Sequence, residues 1–168
     1  PLPTVGVPPS FAATIVIINN NAAGVGYNDP TPRAPVGGNP GTTLGAQRLY
    51  IFQYAAAIWG AILPSSVVIE VRSQFAAQTC TATGAVLGSA GAVTIHRDFA
   101  GADFPGTWYN AALANKLAGL DLSAANPDIN ATFNLSIDSG CFGPGLTWYY
   151  GVDGLEGVNI ELLPRVLH

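Results

Sequence analysis

Thr42 to Phe75 reads Thr-Thr-Leu-Gly-Ala-Gln-Arg-Leu-Tyr-Ile-Phe-Gln-Tyr-Ala-Ala-Ala-Ile-Trp-Gly-Ala-Ile-Leu-Pro-Ser-Ser-Val-Val-Ile-Glu-Val-Arg-Ser-Gln-Phe. Thr42 or Thr43 can cap a helix, because a threonine hydroxyl accepts from the free amides of a first turn. Leu49, Phe52, Ala56, Trp59 and Leu63 recur at three- and four-residue steps, giving one apolar stripe. The Ala55-Ala56-Ala57 run keeps the helix thin enough to lie close on a sheet, and Pro64 ends it. Val67 to Phe75 then alternates apolar and polar from Ile69, which predicts a half-buried strand.

Upstream, Phe11 to Asn19 (Phe-Ala-Ala-Thr-Ile-Val-Ile-Ile-Asn) is a run rich in β-branched residues, the pattern of a strand buried on both faces. Strand, helix and strand in that order predict a βαβ unit with a right-handed crossover. Between the first strand and the helix, Asn20 to Gly41 is a long loop dense in Gly, Pro and Asn. Structureless connections of that length are uncommon unless functional or tied down. Downstream, Ala92 to Arg97 is a third strand candidate and Trp108 to Leu120 a second helix. In Asp128 to Asp138, Ile129, Ala131, Phe133, Leu135 and Ile137 alternate with polar residues. Its polar face, Asn130, Thr132, Asn134 and Ser136, suits an edge strand or a solvent-facing side. Gly140 to Gly157 reads as loop, and Val158 to His168 as the opening of another helix. The expectation is α+β: a twisted mixed β-sheet with two packed helices. The domain spans residues 11–168, preceded by an extended Pro-rich arm at 1–10.

Composition narrows the function. Of 168 residues 49% are hydrophobic and only 10% charged, so the chain can bury a core and its surface is built from Asn, Thr, Ser and Gly. Such a surface repels neighbours weakly, so self-association is an open reading. Net charge is −4, and Arg33, Arg48, Arg72, Arg97, Lys116 and Arg165 are scattered, which argues against nucleic acid. The longest apolar stretch, Tyr54 to Leu63, is about half the ~20 residues that a membrane-spanning helix needs. The chain has no Met and begins Pro1-Leu2-Pro3, as after removal of a signal peptide or in a partial chain. Cys80 and Cys141 are the only cysteines. They are read as one disulfide, with two buried thiols as the alternative, and the disulfide reading implies export.

Few residues suit chemistry. His96 and His168 are the only histidines, and no Gly-x-Ser-x-Gly elbow accompanies a Ser/His96/Asp98 set. Asp98 with Asp103, and Glu156 with Glu161, have ordinary loop and helix explanations. Asn19, Asn20, Asn21, Asn28 and Asp29 offer hard oxygens of the kind calcium prefers, but turn formation accounts for them as well. Asn130-Ala131-Thr132 and Asn134-Leu135-Ser136 match the N-glycosylation pattern.

Several stretches are distinctive together: Gly26-Tyr27-Asn28-Asp29-Pro30-Thr31-Pro32, Ala34-Pro35-Val36-Gly37-Gly38-Asn39-Pro40-Gly41-Thr42-Thr43-Leu44-Gly45 and Gln47-Arg48-Leu49. With them go Ala55-Ala56-Ala57-Ile58-Trp59-Gly60, Cys80-Thr81-Ala82-Thr83, Ala85-Val86-Leu87-Gly88-Ser89-Ala90, Pro105-Gly106-Thr107-Trp108-Tyr109 and Trp148-Tyr149-Tyr150-Gly151. On these the chain, from about Thr14 onward, resembles the N-terminal part of secreted bacterial zinc metallopeptidase-like proteins that carry a protease-associated domain. The resemblance implies a zincin- or metzincin-type N-terminal subdomain. Asn159 to His168 would open the active-site helix, with His168 the first histidine of His-Glu-x-x-His and a zinc ligand. The glutamate base, second histidine and third ligand would follow it. It also implies zinc in the complete protein, a peptide substrate, and substrate pairing with an edge strand, assigned to Asn130, Thr132, Asn134 and Ser136. One histidine cannot complete a catalytic zinc site, so the chain alone is expected to be inactive. Two other readings stand beside this one. The first is an extracellular self-assembling or structural protein, whose partner is another copy of itself rather than a missing C-terminal segment. The second is a surface- or carbohydrate-binding module using Trp108, Tyr109, Trp148, Tyr149 and Tyr150.

Overall fold

The computed structural model describes residues 12–168; the arm Pro1 to Ser10 and Phe11, the expected first residue of the first strand, lie outside the described residues. The chain runs through β1 (Ile15–Asn19), a 3-10 turn at Gly26–Asn28, α1 (Leu44–Ile62), β2 (Ile69–Ala76), β3 (Cys80–Thr81), β4 (Gly84–Ala85) and β5 (Gly88–Ala92). Then come β6 (Ile95–His96), β7 (Tyr109–Asn110), α2 (Ala111–Ala118), β8 (Ile129–Asn134) and a 3-10 segment at Leu135–Ser139. It ends with β9 (Trp148–Tyr149), β10 (Ile160–Glu161) and α3 (Leu163–Leu167). The main sheet has the order β1-β2-β8-β5, with the first three strands parallel and β5 antiparallel. This is the expected α+β class with a mixed sheet.

The α1 boundaries follow from the sequence. Thr43 Oγ1 accepts from the Ala46 amide at 3.1 Å, and the helix stops before Pro64. The face it buries differs from the expected stripe. Leu44, Ile51, Phe52 and Ala55 are buried, whereas Trp59 and Leu63 are 39% and 37% exposed. The N-terminal half of α1 lies under the long loop and on the sheet, while the stripe's far end borders an uncovered groove. In the core, Phe52 of α1 meets Phe133 of β8 edge-on at 5.0 Å, and Tyr27 packs edge-on against Phe52 and Phe75. Such aromatic pairs add about 0.5–1.5 kcal/mol beyond their buried area.

The sheet has one apolar face and one polar face. Val71, Phe75, Ile129, Ala131 and Phe133 face the helices, in the register Val71↔Ile129 and Phe75↔Phe133. On the other face Asn20 donates to Gln74, Arg72 to Asn130 and Gln74 to Thr132, an amide and hydroxyl ladder open to solvent. β1 therefore is not buried on both faces as its run of apolar residues predicts, and Val16 is 41% exposed.

Three further expectations are corrected. The strand at Ile129 is interior, paired on one side with β2 and on the other with β5, and it ends at Asn134 rather than Asp138. The third strand of the main sheet in chain order is β5, Gly88–Ala92, rather than Ala92 to Arg97, and His96 lies in a separate hairpin, β6–β7. α2 makes its main contacts with that hairpin instead of packing on the sheet. It is tied to the sheet end by Asn115, which donates to Asp128 Oδ1 at 2.8 Å, while Asp128 Oδ2 accepts from the Glu70 amide. The Cys80–Cys141 disulfide is formed and joins the β3–β4 hairpin to the loop after Leu135–Ser139. No described helix is long and apolar enough to cross a membrane.

Candidate functional site

An apolar concavity of about 400 Å³ opens on the helix side of the sheet. Its floor is Ile15 and Ile17 of β1, Ile69 and Val71 of β2, and Ile129 and Ala131 of β8. Ala56, Trp59 and Leu63 of α1 form a wall. The last turn of α3, Arg165 to His168, also lines it. α3 starts at Leu163, five residues later than the sequence pattern suggests, because Ile160–Glu161 is taken up in pairing with Trp148–Tyr149. Pro164 sits in its first turn, where a missing N–H costs nothing. Leu162 and Leu163 anchor the helix in the core, and Trp59 Nε1 donates to the Leu167 carbonyl at 3.1 Å, holding it beside α1. Among the described residues, Arg165 and His168 are the only ionisable groups lining the groove. The groove thus offers burial to apolar side chains and no acid or base pair.

Behind it lies a polar centre that the sequence reading missed. Arg48 is 1% exposed. Its Nη2 donates to Asp138 Oδ2 at 2.7 Å, Nη1 to the Gly26 carbonyl at 2.9 Å and to Asp29 Oδ2 at 3.4 Å, and Nε to Tyr150 Oη at 3.1 Å. Its guanidinium carbon also lies 5.0 Å from the Phe75 ring centroid. Tyr150 Oη donates to the same Asp138 Oδ2, while Asp138 Oδ1 is buried with no partner. Burial opposes the charge on Arg48, but Tyr150 and Asp138 more than offset this, so its pKa is raised. Burial pushes the Tyr150 hydroxyl well above its ordinary value, which keeps it protonated and donating. The Thr31 hydrogen bonds, with Arg48 adding to them, hold the Asp29 carboxyl below the usual range. This centre ties the 20–41 loop, α1 and the C-terminal third together. A lone cation in a helix whose neighbours Leu44, Ile51 and Phe52 are all apolar was the available signal.

The remaining predicted residues are dispersed. Asn130 and Thr132 lie on the polar face of the sheet, opposite the groove. Asn134 is fully buried, donating to the Thr79 and Val86 carbonyls and accepting from the Gln78 and Ser136 amides. Ser136 belongs to the 3-10 segment. The four residues are therefore not brought together on one exposed strand edge. Asn19 Oδ1 accepts from the Asn21 amide, Asn21 Oδ1 from the Tyr27 and Phe75 amides, and Asn28 Oδ1 from Asn19 Nδ2. The asparagine cluster therefore acts as a loop staple. His96 Nε2 bonds Thr94 Oγ1 within its hairpin. Of the five aromatic residues considered for surface binding, Tyr109, Trp148 and Tyr150 are buried core, and Tyr149 donates to Asp153 at 2.6 Å. Trp108 is exposed, with Arg97 stacked on it. They do not make a shared platform.

Among the described residues, no group of three or more His, Cys, Asp or Glu could hold a metal ion. Catalytic zinc takes three protein ligands and an open position, so His168 alone does not fit a zinc site and no zinc chemistry follows from these residues. Comparison with family models, curated proteins and solved structures finds no match to this chain.

Proposed function

We propose that this chain is the scaffold part of a secreted zinc metallopeptidase, with the groove as the seat of the active-site helix that α3 begins. The uncovered apolar groove carries the reading. Ile69, Val71, Ile129 and Ala131 form a sheet surface that wants a helix, and α3 lies beside α1 with Arg165 to His168 at the groove. A helix continuing that direction would bury apolar residues three and four positions apart on this floor. The sequence resemblance, with His168 as first ligand, and the disulfide, which fits an oxidising compartment, lend it support. Isolated, the chain is a scaffold without catalysis.

The interior place of β8 moves the substrate strand in this reading. Among the described residues the edge on that side of the sheet is β5, whose Ala90 lines the groove. An extended peptide would add to β5 by backbone pairing. The test is the intact mass of the native protein together with the encoded residues after His168. Glu-x-x-His within a helical apolar pattern is expected, and a stop codon or a polar, Pro-rich continuation refutes the proposal. Zinc titrated into the present chain should show no tight stoichiometric site.

A further inference from the structure

The opposite edge of the sheet is β1, and its backbone has a regular free side. The Ile69 amide donates to the Thr14 carbonyl, and the Asn20 amide to the Ser73 carbonyl. In a parallel pair the amide and carbonyl of one residue point the same way, so Thr14, Val16, Ile18 and Asn20 face β2. Ile15, Ile17 and Asn19 then direct their backbone groups outward, where no described strand pairs with them. Natural sheets guard such an edge with Lys, Pro, a bulge or a covering element. β1, Ile-Val-Ile-Ile-Asn, carries no charge and no Pro. β5 is also an edge, but Gly-Ser-Ala-Gly-Ala is a weak strand former.

We infer that the free edge of β1 is a self-association surface, on which β1 of a second copy adds antiparallel about a two-fold axis at Ile17. This goes beyond the peptidase reading and does not depend on it. The register follows from the outward set. Centring on Ile17 opposes Ile17 to its own copy and Ile15 to Asn19 of the copy, using every outward group in about six hydrogen bonds. Sliding the axis toward Ala13 is blocked, because the Ala13 amide already donates to the Leu63 carbonyl and Ala12 bridges Pro64.

Side chains agree with that register on both faces. On the open face Val16 meets Ile18 of the copy, a close cross-strand apolar pair that covers the exposed Val16. The next residues in those rows are Glu70, beside Val16, and Arg72, beside Ile18. Antiparallel pairing therefore sets Glu70 of one copy in line with Arg72 of the other and brings no like charges together. On the helix face a shallow concavity of about 490 Å³ runs along the edge; beside β1 and Gln53, its lining is Ala12, Ala13, Ala56, Ala57 and Gly60. These small side chains leave room for Ile15 and Ile17 of the copy. The product is one continuous sheet of two copies, a closed isologous dimer.

The experiment is sedimentation velocity over a wide concentration range on the 168-residue chain and on Val16→Lys, with amide hydrogen exchange at Ile15, Ile17 and Asn19. The introduced ammonium would sit beside Glu70 on the neighbouring strand, so folding should persist, as circular dichroism will report. A wild-type dimer is expected, with Val16→Lys raising its dissociation constant at least about tenfold. The three amides should be protected only at dimer-forming concentrations. A monomer throughout overturns the inference. So does a dimer that Val16→Lys leaves unchanged, which would mean association through the groove beside α3. Protection independent of concentration also overturns it, since the edge would then be covered within one chain. If Val16→Lys does not fold, the concentration dependence of Ile17 exchange in the wild-type chain decides by itself.

Discussion

Replacing Arg48 by Met removes a buried cation and leaves its carboxylate partner behind. Arg48 is 1% exposed, and its contacts tie α1 to the loop at Gly26 and Asp29, to Asp138 and to Tyr150. Asp138 would keep only the Tyr150 hydroxyl on Oδ2, with Oδ1 already buried and unpartnered. Breaking a buried pair from one side costs about 3–5 kcal/mol. That is a large share of the roughly 5–15 kcal/mol available to a domain. With a urea m-value of about 2 kcal/mol/M, the midpoint should fall by about 2 M. Arg48→Lys should recover little, since one ammonium cannot span the Gly26 carbonyl, Asp138 and Tyr150 as the planar fork does. Arg48→Met combined with Asp138→Asn should be more stable than Arg48→Met alone, because the stranded charge is gone. A loss below about 1 kcal/mol for Arg48→Met, or no recovery in the double variant, would refute the view that a charge network closes the core here.

Reducing the disulfide, or replacing Cys80 and Cys141 by Ala, opens a loop with a sequence separation of 61. The chain-entropy relation gives a loss of about 4 kcal/mol, read as a fall in the denaturation midpoint. Tyr149 is held protonated by its hydrogen bond to Asp153 and then by burial, which push its pKa to about 12. A raised folded pKa means that this stabilisation is complete below about pH 10, where the unfolded tyrosine titrates, and fades as pH rises toward about 12. Tyr149→Phe should therefore lower stability at neutral pH, where the hydrogen bond to Asp153 is intact, and flatten the alkaline limb, as urea midpoints measured across pH will report. Gly45→Ala should destabilise although Ala is the better helix former by about 1 kcal/mol, because the new Cβ would lie 2.4 Å from the Tyr27 carbonyl oxygen. A Gly45→Ala chain as stable as wild type in urea would show that the Tyr27–Asp29 turn yields easily.

The elements that were legible in the sequence are those whose signal is local. Thr43 and Pro64 bracket α1, and the alternation from Ile69 and from Ile129 marks two strands. Place in the sheet was not legible. Polar residues at 130 and 132 record that one face is wet, which holds equally for an edge strand and for an interior strand of a sheet with a bare face. What makes β8 interior is β5, and Gly-Ser-Ala-Gly-Ala has neither alternation nor β-branched residues to announce itself. It becomes a strand because β8 offers it a ladder, a tertiary override of local propensity. The segment 135–139, Leu-Ser-Ile-Asp-Ser, continues the alternation on paper. Asn134 breaks the strand by turning its side chain onto the Thr79 and Val86 carbonyls and the Ser136 amide, and the chain coils into a 3-10 segment.

The candidate site divides in the same way. His168 could be singled out by type and by the resemblance, but its setting depends on what the sheet leaves uncovered. The stripe Ala56, Trp59 and Leu63 is apolar, yet it does not seal against the sheet. The long loop with its Tyr27, Asn21 and Asp29 staples covers the Phe75–Phe133 end, and no described element covers the Ile69–Ile129 end. A continuous apolar stripe on α1 and a continuous apolar row on each strand therefore meet two environments, a closed aromatic core and an open groove. Periodicity reports that a surface is apolar and cannot report what will cover it. For this chain the distinction separates two ends of one sheet: Arg48 and the aromatic cluster fill the closed end, and the proposed function rests on the apolar floor of the open one.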